Sequence, residues 1–146
     1  MKKETLYKLK ISADSWIGTP FLPNCAIKSG GVSCHNLIGA IYKEIGIIPV
    51  EFSIPEGSPN WGNAHKNSVI EPFMDSMEEF ESVDINSFQP GDMLGFKIGG
   101  CIHHCGLLVY DKYFIHCMRD SGVAYRRIDD AAYITRLTKV WRPKNG

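Results

Sequence analysis

The chain has 146 residues, of which 44% are hydrophobic and 22% are charged, so it can bury the core of one domain and is neither disordered nor fibrous. Its 16 Lys and Arg residues balance 16 Asp and Glu residues, which argues against a general nucleic-acid-binding protein, because phosphate contacts need a basic excess. No apolar run approaches the roughly 18 residues of a membrane span, and no apolar segment of a signal peptide follows the basic start. We therefore expect a single domain, residues 1–146, that is made in the cytoplasm.

The N-terminal half carries the spacing of amphipathic helices. Apolar residues recur at every third or fourth position over residues 6–17, which predicts a first helix that ends at Gly18. The same spacing over residues 33–45 predicts a second helix with Cys34 in its first turn. A third helix is predicted over about residues 69–80.

A long irregular loop is predicted between the second and third helices, over about residues 47–66. Proline and glycine interrupt every regular pattern in this stretch. A loop of this length inside a small domain often serves a binding site. Trp61 within it is either a platform for substrate or an anchor that fixes the loop to the core.

The C-terminal half has the pattern of an antiparallel sheet. It begins after a turn at Gln89-Pro90-Gly91-Asp92, and alternation and turn residues predict five strands, at about 93–98, 102–110, 114–118, 122–128 and 136–141. Helices followed by such a meander predict an α+β fold.

Cys34 is the cysteine with the best placement for chemistry. The five cysteines are an odd number without a secretory signal, so a disulfide framework is not expected. A thiol at a helix start is favoured as the thiolate, which lowers its pKa from about 8.5 into the range of about 3.5 to 7.5. Ser33 can cap this helix. By contrast, Cys101, Cys105 and Cys117 are expected to be packed interior thiols.

Two histidines on neighbouring predicted strands complete a candidate site. Alternate residues of a strand share a face, so His104 and Gly106 face the same way, and His116 lies on one face of the next strand. If the two faces are continuous, His116 can orient His104 while His104 acts as a base toward Cys34. Gly106 leaves room for another element to pack closely beside His104.

Three blocks of the sequence match motifs of a known family. The blocks are Ser15-Trp16-Ile17-Gly18-Thr19-Pro20-Phe21, then Gly31-Val32-Ser33-Cys34-His35-Asn36-Leu37, and then a long block from Gln89 through His103-His104-Cys105-Gly106-Leu107 to Phe114-Ile115-His116 and Trp141-Arg142. With these residues the chain resembles the NlpC-type cysteine peptidases, which are papain-like enzymes of bacterial cell-wall turnover. The resemblance is greatest to the branch carried by phage tails and gene-transfer agents.

The resemblance implies a papain-like α+β domain with Cys34 as the nucleophile, His104 as the general base and His116 as the polar residue that orients the base. It also implies hydrolysis of peptidoglycan stem peptides or muropeptides, typically between γ-D-glutamate and a diamino acid. We expect no cofactor and no metal. Contacts to the substrate or the oxyanion are expected from Asn24, Ser33 and Trp61, together with the backbone N–H of Cys34.

The sequence also departs from the motifs of this family. Ser33 stands where the family usually has Asp, and His35-Asn36 stands where Ser-Gly commonly follows the nucleophile. Because one helical residue turns by about 100°, His35 is expected at the surface or behind the direct contacts of Cys34. A tyrosine that assists the oxyanion in many members has no match before Gly31.

Three alternatives remain open at this point. A zinc site could form from Cys101, His103, Cys105 and Cys117, although alternate strand residues lie about 6.5 Å apart, which is too far for three of them to reach one ion comfortably. The domain could instead be a catalytically silent part of a phage-tail-like assembly. The same Cys–His pair could also transfer its acyl group to an amine. Delivery to the wall by a tail-like particle or by non-classical export is a further expectation.

Overall fold

A computed structural model describes residues 1–55 and 69–146. Within these ranges there are four helices: α1 (Lys3–Trp16), α2 (Cys34–Glu44), α3 (Ile70–Ser76) and α4 (Ala131–Ile134). The same ranges hold eight strands: β1 (Ala26–Ile27), β2 (Gly31–Val32), β3 (Phe80–Val83), β4 (Met93–Ile98), β5 (Cys101–Tyr110), β6 (Tyr113–Met118), β7 (Gly122–Arg127) and β8 (Leu137–Pro143). No helix of the described part is long and apolar enough to cross a membrane.

The first two helices follow the apolar spacing of the sequence. α1 ends before Gly18, whose φ of 86° is the left-handed conformation that glycine tolerates at a helix end. α2 begins at Cys34 and buries Leu37, Ile38 and Ile41. Because α2 packs on β5, β6 and α1, its first turn lies against the middle of the sheet.

The third helix is shorter than predicted. α3 ends at Ser76, and Phe80 begins β3, which pairs in antiparallel register with β8. The ring of Phe80 is buried against Tyr42 of α2, with 5.3 Å between ring centroids. Phe80 stands at helical spacing from Met77, which is why the sequence pattern extends the helix to it. Pairing with the distant strand β8 determines its conformation instead, and the local spacing of apolar residues gives no information about such a partner.

The predicted α+β architecture is present, with an antiparallel sheet in the order β3-β8-β4-β5-β6-β7. The helices α1, α2 and α3 cover one face over the larger core cluster, while a smaller cluster on the other face includes Phe96 and Phe114. The two short strands β1 and β2 pair in the segment before α2. Neither they nor α4 are predicted by the sequence pattern.

The predicted loop over residues 47–66 falls only partly within the described residues. Its first part, residues 47–55, contains no helix or strand, and Ile47 and Ile48 are buried in the larger core cluster. The remainder, including Trp61, lies outside the described residues.

A buried ion pair ties the turn before β4 to the end of β8. Arg142 donates from Nε to Oδ1 of Asp92 at 2.9 Å and from Nη2 to Oδ2 at 2.8 Å, and Asp92 is only 1% exposed. The backbone N–H of Gln89 donates to the same carboxylate at 2.9 Å. From α2, the Tyr42 hydroxyl donates to the Gly91 carbonyl at 2.8 Å. This turn therefore helps to hold α2 in place against the sheet.

Candidate active site

Cys34 is the first residue of α2, as the sequence predicts. Ser33 before it has the extended backbone of an N-cap residue, with φ −95° and ψ 171°. The predicted cap by its side chain is wrong, because Ser33 Oγ accepts a hydrogen bond from Nδ2 of Asn36 at 2.9 Å and from no backbone N–H of the first turn. The N–H groups of that turn therefore keep their partial positive charge beside the thiol, which favours the thiolate.

The approach to α2 is anchored on the sheet by a second cysteine. Cys117 of β6 is buried and donates from Sγ to the carbonyl of Val32 at 3.3 Å. Val32 precedes Ser33, so this contact sets the position from which the helix begins. Burial raises the pKa of Cys117 to about 11, which keeps it a thiol and a donor.

The structure brings His104 and His116 together between β5 and β6. His104 Nε2 lies 2.8 Å from His116 Nδ1, and the two side chains are 7% and 0% exposed. A Cβ on Gly106 would come within 2.6 Å of the Phe114 ring, so only glycine leaves room for that ring beside the two histidines. The histidines thus share one face of the sheet.

The surroundings of His116 determine its protonation state. Burial, followed by the charges of His104 and Arg126, lowers the pKa of His116 to about 3, so the ring is neutral near pH 7. A neutral ring can accept at Nδ1 the N–H that His104 donates from Nε2. The proton of His116 then sits on Nε2, which is buried and has no hydrogen-bond partner within the described ranges. The rings of Phe114 and Tyr133 flank it edge to face.

Three groups near the thiol of Cys34 act on its pKa, Cys105 and His104 on β5 and His35 on α2. The contact with Cys105, followed by those with the two imidazoles, lowers the pKa of Cys34 well below its usual range, although burial opposes the shift. Because Nε2 of His104 is engaged with His116, Nδ1 is the nitrogen left to face Cys34.

Cys105 and His35 are the two contacts of Cys34 that sequence reasoning did not find. Cys105 is fully buried as expected, but its hydrogen bond with Cys34 and its burial raise its pKa well above the usual range, so it stays a thiol that donates. His35 is half-buried and not at the surface. The 100° step separates the directions of the two Cβ atoms, yet the two side chains remain near enough for each to shift the pKa of the other. Its adjacency to Cys34 was the available signal.

The other predicted substrate contacts lie around α2. Asn24 has a left-handed backbone with φ 53° in the turn before β1, and it lines an open cavity with Asn36 and Glu44. Ser33 is buried at the start of α2. On another side of the helix, His35 borders an apolar cavity of about 50 Å³ that Ile38 and Phe73 help to line.

The placement of side chains does not support the zinc alternative. The register pairs Phe96 with His104 and Lys97 with Ile102, so His103 is the extra residue of a β-bulge. As a result Ile102 and Cys105, three residues apart, both lie in the core cluster beneath the helices.

The bulge breaks the alternation on which a shared ligand face depended. Cys101 contacts only its near neighbour among the proposed ligands, with Sγ 3.3 Å from Nε2 of His103. Across residues 1–55 and 69–146, no group of three His, Cys, Asp or Glu side chains could hold a metal ion.

Comparison with solved structures shows that this fold is shared. A Staphylococcus aureus protein described as similar to a lipoprotein of the NLP/P60 family superposes with a TM-score of 0.69 at 17% identity, over 100% of this chain and 43% of that chain. The NlpC/P60 domain of the peptidoglycan hydrolase SagA gives a TM-score of 0.60 at 16% identity, over 92% and 96% of the two chains.

The peptidoglycan hydrolase RipB from Mycobacterium tuberculosis gives a TM-score of 0.61 at 16% identity, over 96% of this chain and 64% of that chain. This chain therefore spans less than half the length of the Staphylococcus aureus protein and slightly under two thirds of RipB. No curated protein matches the chain at a significant level.

The sequence itself matches the profile of the NlpC/P60 family over residues 18–142, which contain the candidate site. That family supports the predicted enzyme class, a cysteine peptidase. The chain belongs to the NlpC/P60 family.

Proposed function

We propose that this member of the NlpC/P60 family hydrolyses peptide bonds in bacterial peptidoglycan through a Cys34–His104–His116 triad. The observation that carries the proposal is the pair of histidines on β5 and β6, with His104 Nε2 2.8 Å from His116 Nδ1. Cys34 lies at the start of α2, and His104 is one of the groups that lower the pKa of its thiol. A nucleophile, a base and an orienting group in this order match the logic of covalent catalysis by a thiol.

In the first half of the proposed reaction, Cys34 attacks the carbonyl carbon of the scissile bond as a thiolate. His104, protonated on both nitrogens, gives its Nδ1 proton to the nitrogen of the leaving amine as the C–N bond breaks. The backbone N–H of Cys34 is oriented to stabilise the oxyanion, because it lies at the uncapped start of α2. Donors of this kind typically contribute about 10²- to 10³-fold to the rate.

In the second half, water releases the acyl group from the sulfur. Neutral His104 takes a proton from water at Nδ1, the resulting hydroxide attacks the thioester carbonyl, and the C–S bond breaks to regenerate the thiolate. His116 keeps the Nε2–H of His104 directed toward itself, so that Nδ1 faces the reacting atoms. General acid–base assistance of this kind is typically worth about 10²- to 10⁴-fold.

The bond that we propose lies between γ-D-glutamate and the diamino acid of the stem peptide. This choice is supported by the NlpC-type sequence motifs, and by SagA and RipB, which share the fold and are peptidoglycan hydrolases. Likeness to the phage-tail and gene-transfer-agent branch rests on those motifs alone. A tail-like particle or non-classical export is the proposed route to the wall.

Mass spectrometry of defined muropeptides tests this function. The wild-type protein should split them into two fragments, while Cys34→Ala should lower turnover by about 10⁴-fold or more. Cys101→Ala is the matched control, because it removes a half-buried thiol from another place on the sheet. In ¹⁸O-labelled water, hydrolysis places one ¹⁸O atom in the new carboxylate, whereas acyl transfer to an amine does not.

Equal turnover by the wild-type protein and Cys34→Ala would contradict the mechanism. A folded wild-type protein that cleaves none of a full set of stem peptides would instead identify a catalytically silent domain.

A further inference from the structure

One nitrogen of His116 has no role in the mechanism above. Nδ1 lies 2.8 Å from Nε2 of His104, whereas Nε2 is buried and has no hydrogen-bond partner within residues 1–55 and 69–146. His116 as a whole is 0% exposed. A buried N–H without a partner costs free energy, so a group of this kind calls for a functional explanation.

Aromatic rings pack on both histidines from within the sheet. Phe96 of β4 stacks on His104, with 5.9 Å between ring centroids and an angle of 29° between the planes. Phe114 of β6 meets His116 edge to face, at 5.1 Å and 74°. Both phenylalanine rings are buried and belong to the smaller core cluster. The pairing of β4, β5 and β6 therefore fixes these two rings relative to the histidines.

A third ring, that of Tyr133, reaches His116 from outside the sheet. Its centroid lies 5.5 Å from that of His116, with the planes at 84°, and 5.0 and 5.9 Å from those of Phe114 and Phe96. Tyr133 lies on α4, and Asp130 fixes the start of that helix, because its carboxylate accepts a backbone N–H of the first turn at 2.9 Å. α4 therefore completes the aromatic surroundings of His116.

The tautomer of His116 decides which nitrogen of His104 faces the thiol. With its proton on Nε2, His116 accepts the Nε2–H of His104 at Nδ1, and Nδ1 of His104 is left for Cys34. With a proton on Nδ1, either in the other tautomer or in the imidazolium, His116 would donate instead, and His104 would lose the acceptor that orients it. The proposed mechanism therefore depends on a neutral His116 with its proton on Nε2.

An aromatic ring that covers Nε2 favours this state in two ways. The face of such a ring weakly attracts an N–H group and accepts no proton from it. The ring also excludes water, which would otherwise stabilise a second proton on the imidazole. The charges that act on this imidazole are those of His104, Arg126 and Cys34, from β5, β7 and α2. From α4 the titratable group is the hydroxyl of Tyr133.

We propose that Tyr133 is a positioning residue of the proposed triad, whose ring covers Nε2 of His116 so that His116 stays neutral and accepts the hydrogen bond of His104. No bond to Tyr133 forms or breaks, so the proton balance of the reaction is unchanged. The inference rests on the proposed roles of His104 and His116. The ring carries this role and the hydroxyl does not, since the contact with His116 is between rings.

NMR of the side-chain nitrogens of His116 tests this proposal without any peptidoglycan. The full chain is labelled with ¹⁵N, and His116→Asn identifies the signals. In the wild-type protein at about pH 7 the Nε2 proton should be visible, because a covered N–H exchanges slowly with water, and Nδ1 should carry no proton. Since the pKa of His116 is about 3, this pattern should persist down to about pH 4.

Two variants of Tyr133 separate the ring from the hydroxyl. Tyr133→Ala should admit water to Nε2 and raise the titration midpoint of His116 by about one pH unit or more, toward the ordinary value of a histidine. Tyr133→Phe keeps the ring and should leave the midpoint unchanged. The matched control is Phe88→Ala, because Phe88 packs on the same core cluster while its ring contacts Lys112. It should leave the midpoint of His116 unchanged.

Muropeptide cleavage gives a second measurement. Tyr133→Ala should lower kcat about tenfold with little change in KM, because it disturbs the orientation of the base and not the binding of substrate. The activity of this variant should also fall as the pH drops through the raised pKa of His116, since a protonated His116 cannot accept the hydrogen bond of His104. Tyr133→Phe should follow the wild-type protein in both respects.

A wild-type His116 with its proton on Nδ1, or with an Nε2 proton lost to rapid exchange at about pH 7, would overturn the proposal without any variant. An unchanged midpoint in Tyr133→Ala, or an equal rise in Phe88→Ala, would do the same. If the wild-type protein is active, an unchanged kcat in Tyr133→Ala would overturn the positioning role. Failure of muropeptide cleavage by the wild-type protein would refute the hydrolase function and leave these titrations as they are.

Discussion

Two thiol–imidazole pairs include a histidine of β5, and the pKa of the thiol is lowered in only one of them. Cys101 and His103 lie at the start of the strand, where Sγ is 3.3 Å from Nε2. Burial and the charge of Glu71 raise the pKa of Cys101, and burial lowers the pKa of His103. Each shift favours the neutral form of its group. Cys34 has the opposite shift, with a pKa well below the usual range.

The difference between the pairs lies in what surrounds them. Cys101 contacts a histidine two residues away on one strand. Cys34 stands at the start of a helix, and Cys105, His104 and His35 lower the pKa of its thiol. The proposed base, His104, lies in turn with Nε2 2.8 Å from Nδ1 of His116. Proximity of sulfur and imidazole is therefore not enough, because the thiolate needs donors and the base needs a fixed orientation.

The largest expected effect separates the two histidines of the strand. His104→Ala should lower kcat/KM for muropeptides by about 10²- to 10⁴-fold, because it removes the proposed general base. His103→Ala should change kcat/KM by less than about twofold, since it removes no part of the proposed triad. Steady-state kinetics with far-ultraviolet circular dichroism as the check on folding gives both values. Similar losses in the two variants would mean that the pairs do not differ in function.

A smaller effect concerns stability and belongs to His116, the third member of the proposed triad. The pKa of His116 is about 3 in the folded protein against 6.5 for an unperturbed histidine. Between these values the unfolded chain binds a proton that the folded protein does not, so the contribution of His116 to stability is lost as pH falls from about 6.5 toward 3. His116→Asn should remove this dependence.

Urea unfolding at pH 7 and at pH 4 measures this pH dependence of the unfolding free energy. The wild-type protein should lose on the order of 3 kcal/mol more unfolding free energy than His116→Asn between these two pH values. His103→Asn is the control and should follow the wild-type protein, because its imidazole is far less buried. Equal losses in the wild-type protein and His116→Asn would show that His116 accepts a proton in the folded state.

The elements that carry the proposed triad were predictable from local pattern. Helical spacing places Cys34 in the first turn of α2, and strand alternation puts His104 and His116 on faces that the sheet brings together. Gly106 indicated a close approach, which is made by the Phe114 ring. These features depend on neighbours within a few residues or on one hairpin, which a sequence displays directly.

The features that were missed depend on partners far along the chain or on small irregularities. β3 exists because it pairs with β8, about 60 residues later. The bulge at His103 shifts the alternation of side chains along β5, and no residue type in that stretch indicates a bulge. It also separates Cys101 from the face of Cys105. The contact of His35 with Cys34 depends on how far a ring reaches, which helical periodicity does not describe.

Competition between the two thiols for one reagent tests the central claim most directly. Cys34 is buried more deeply than Cys101, so exposure alone would favour labelling of Cys101. With limiting iodoacetamide at about pH 6, the wild-type protein should be labelled at Cys34 at least about tenfold faster than at Cys101, because only the thiolate reacts. Equal labelling, or faster labelling of Cys101, would contradict the activation of Cys34 on which this account depends.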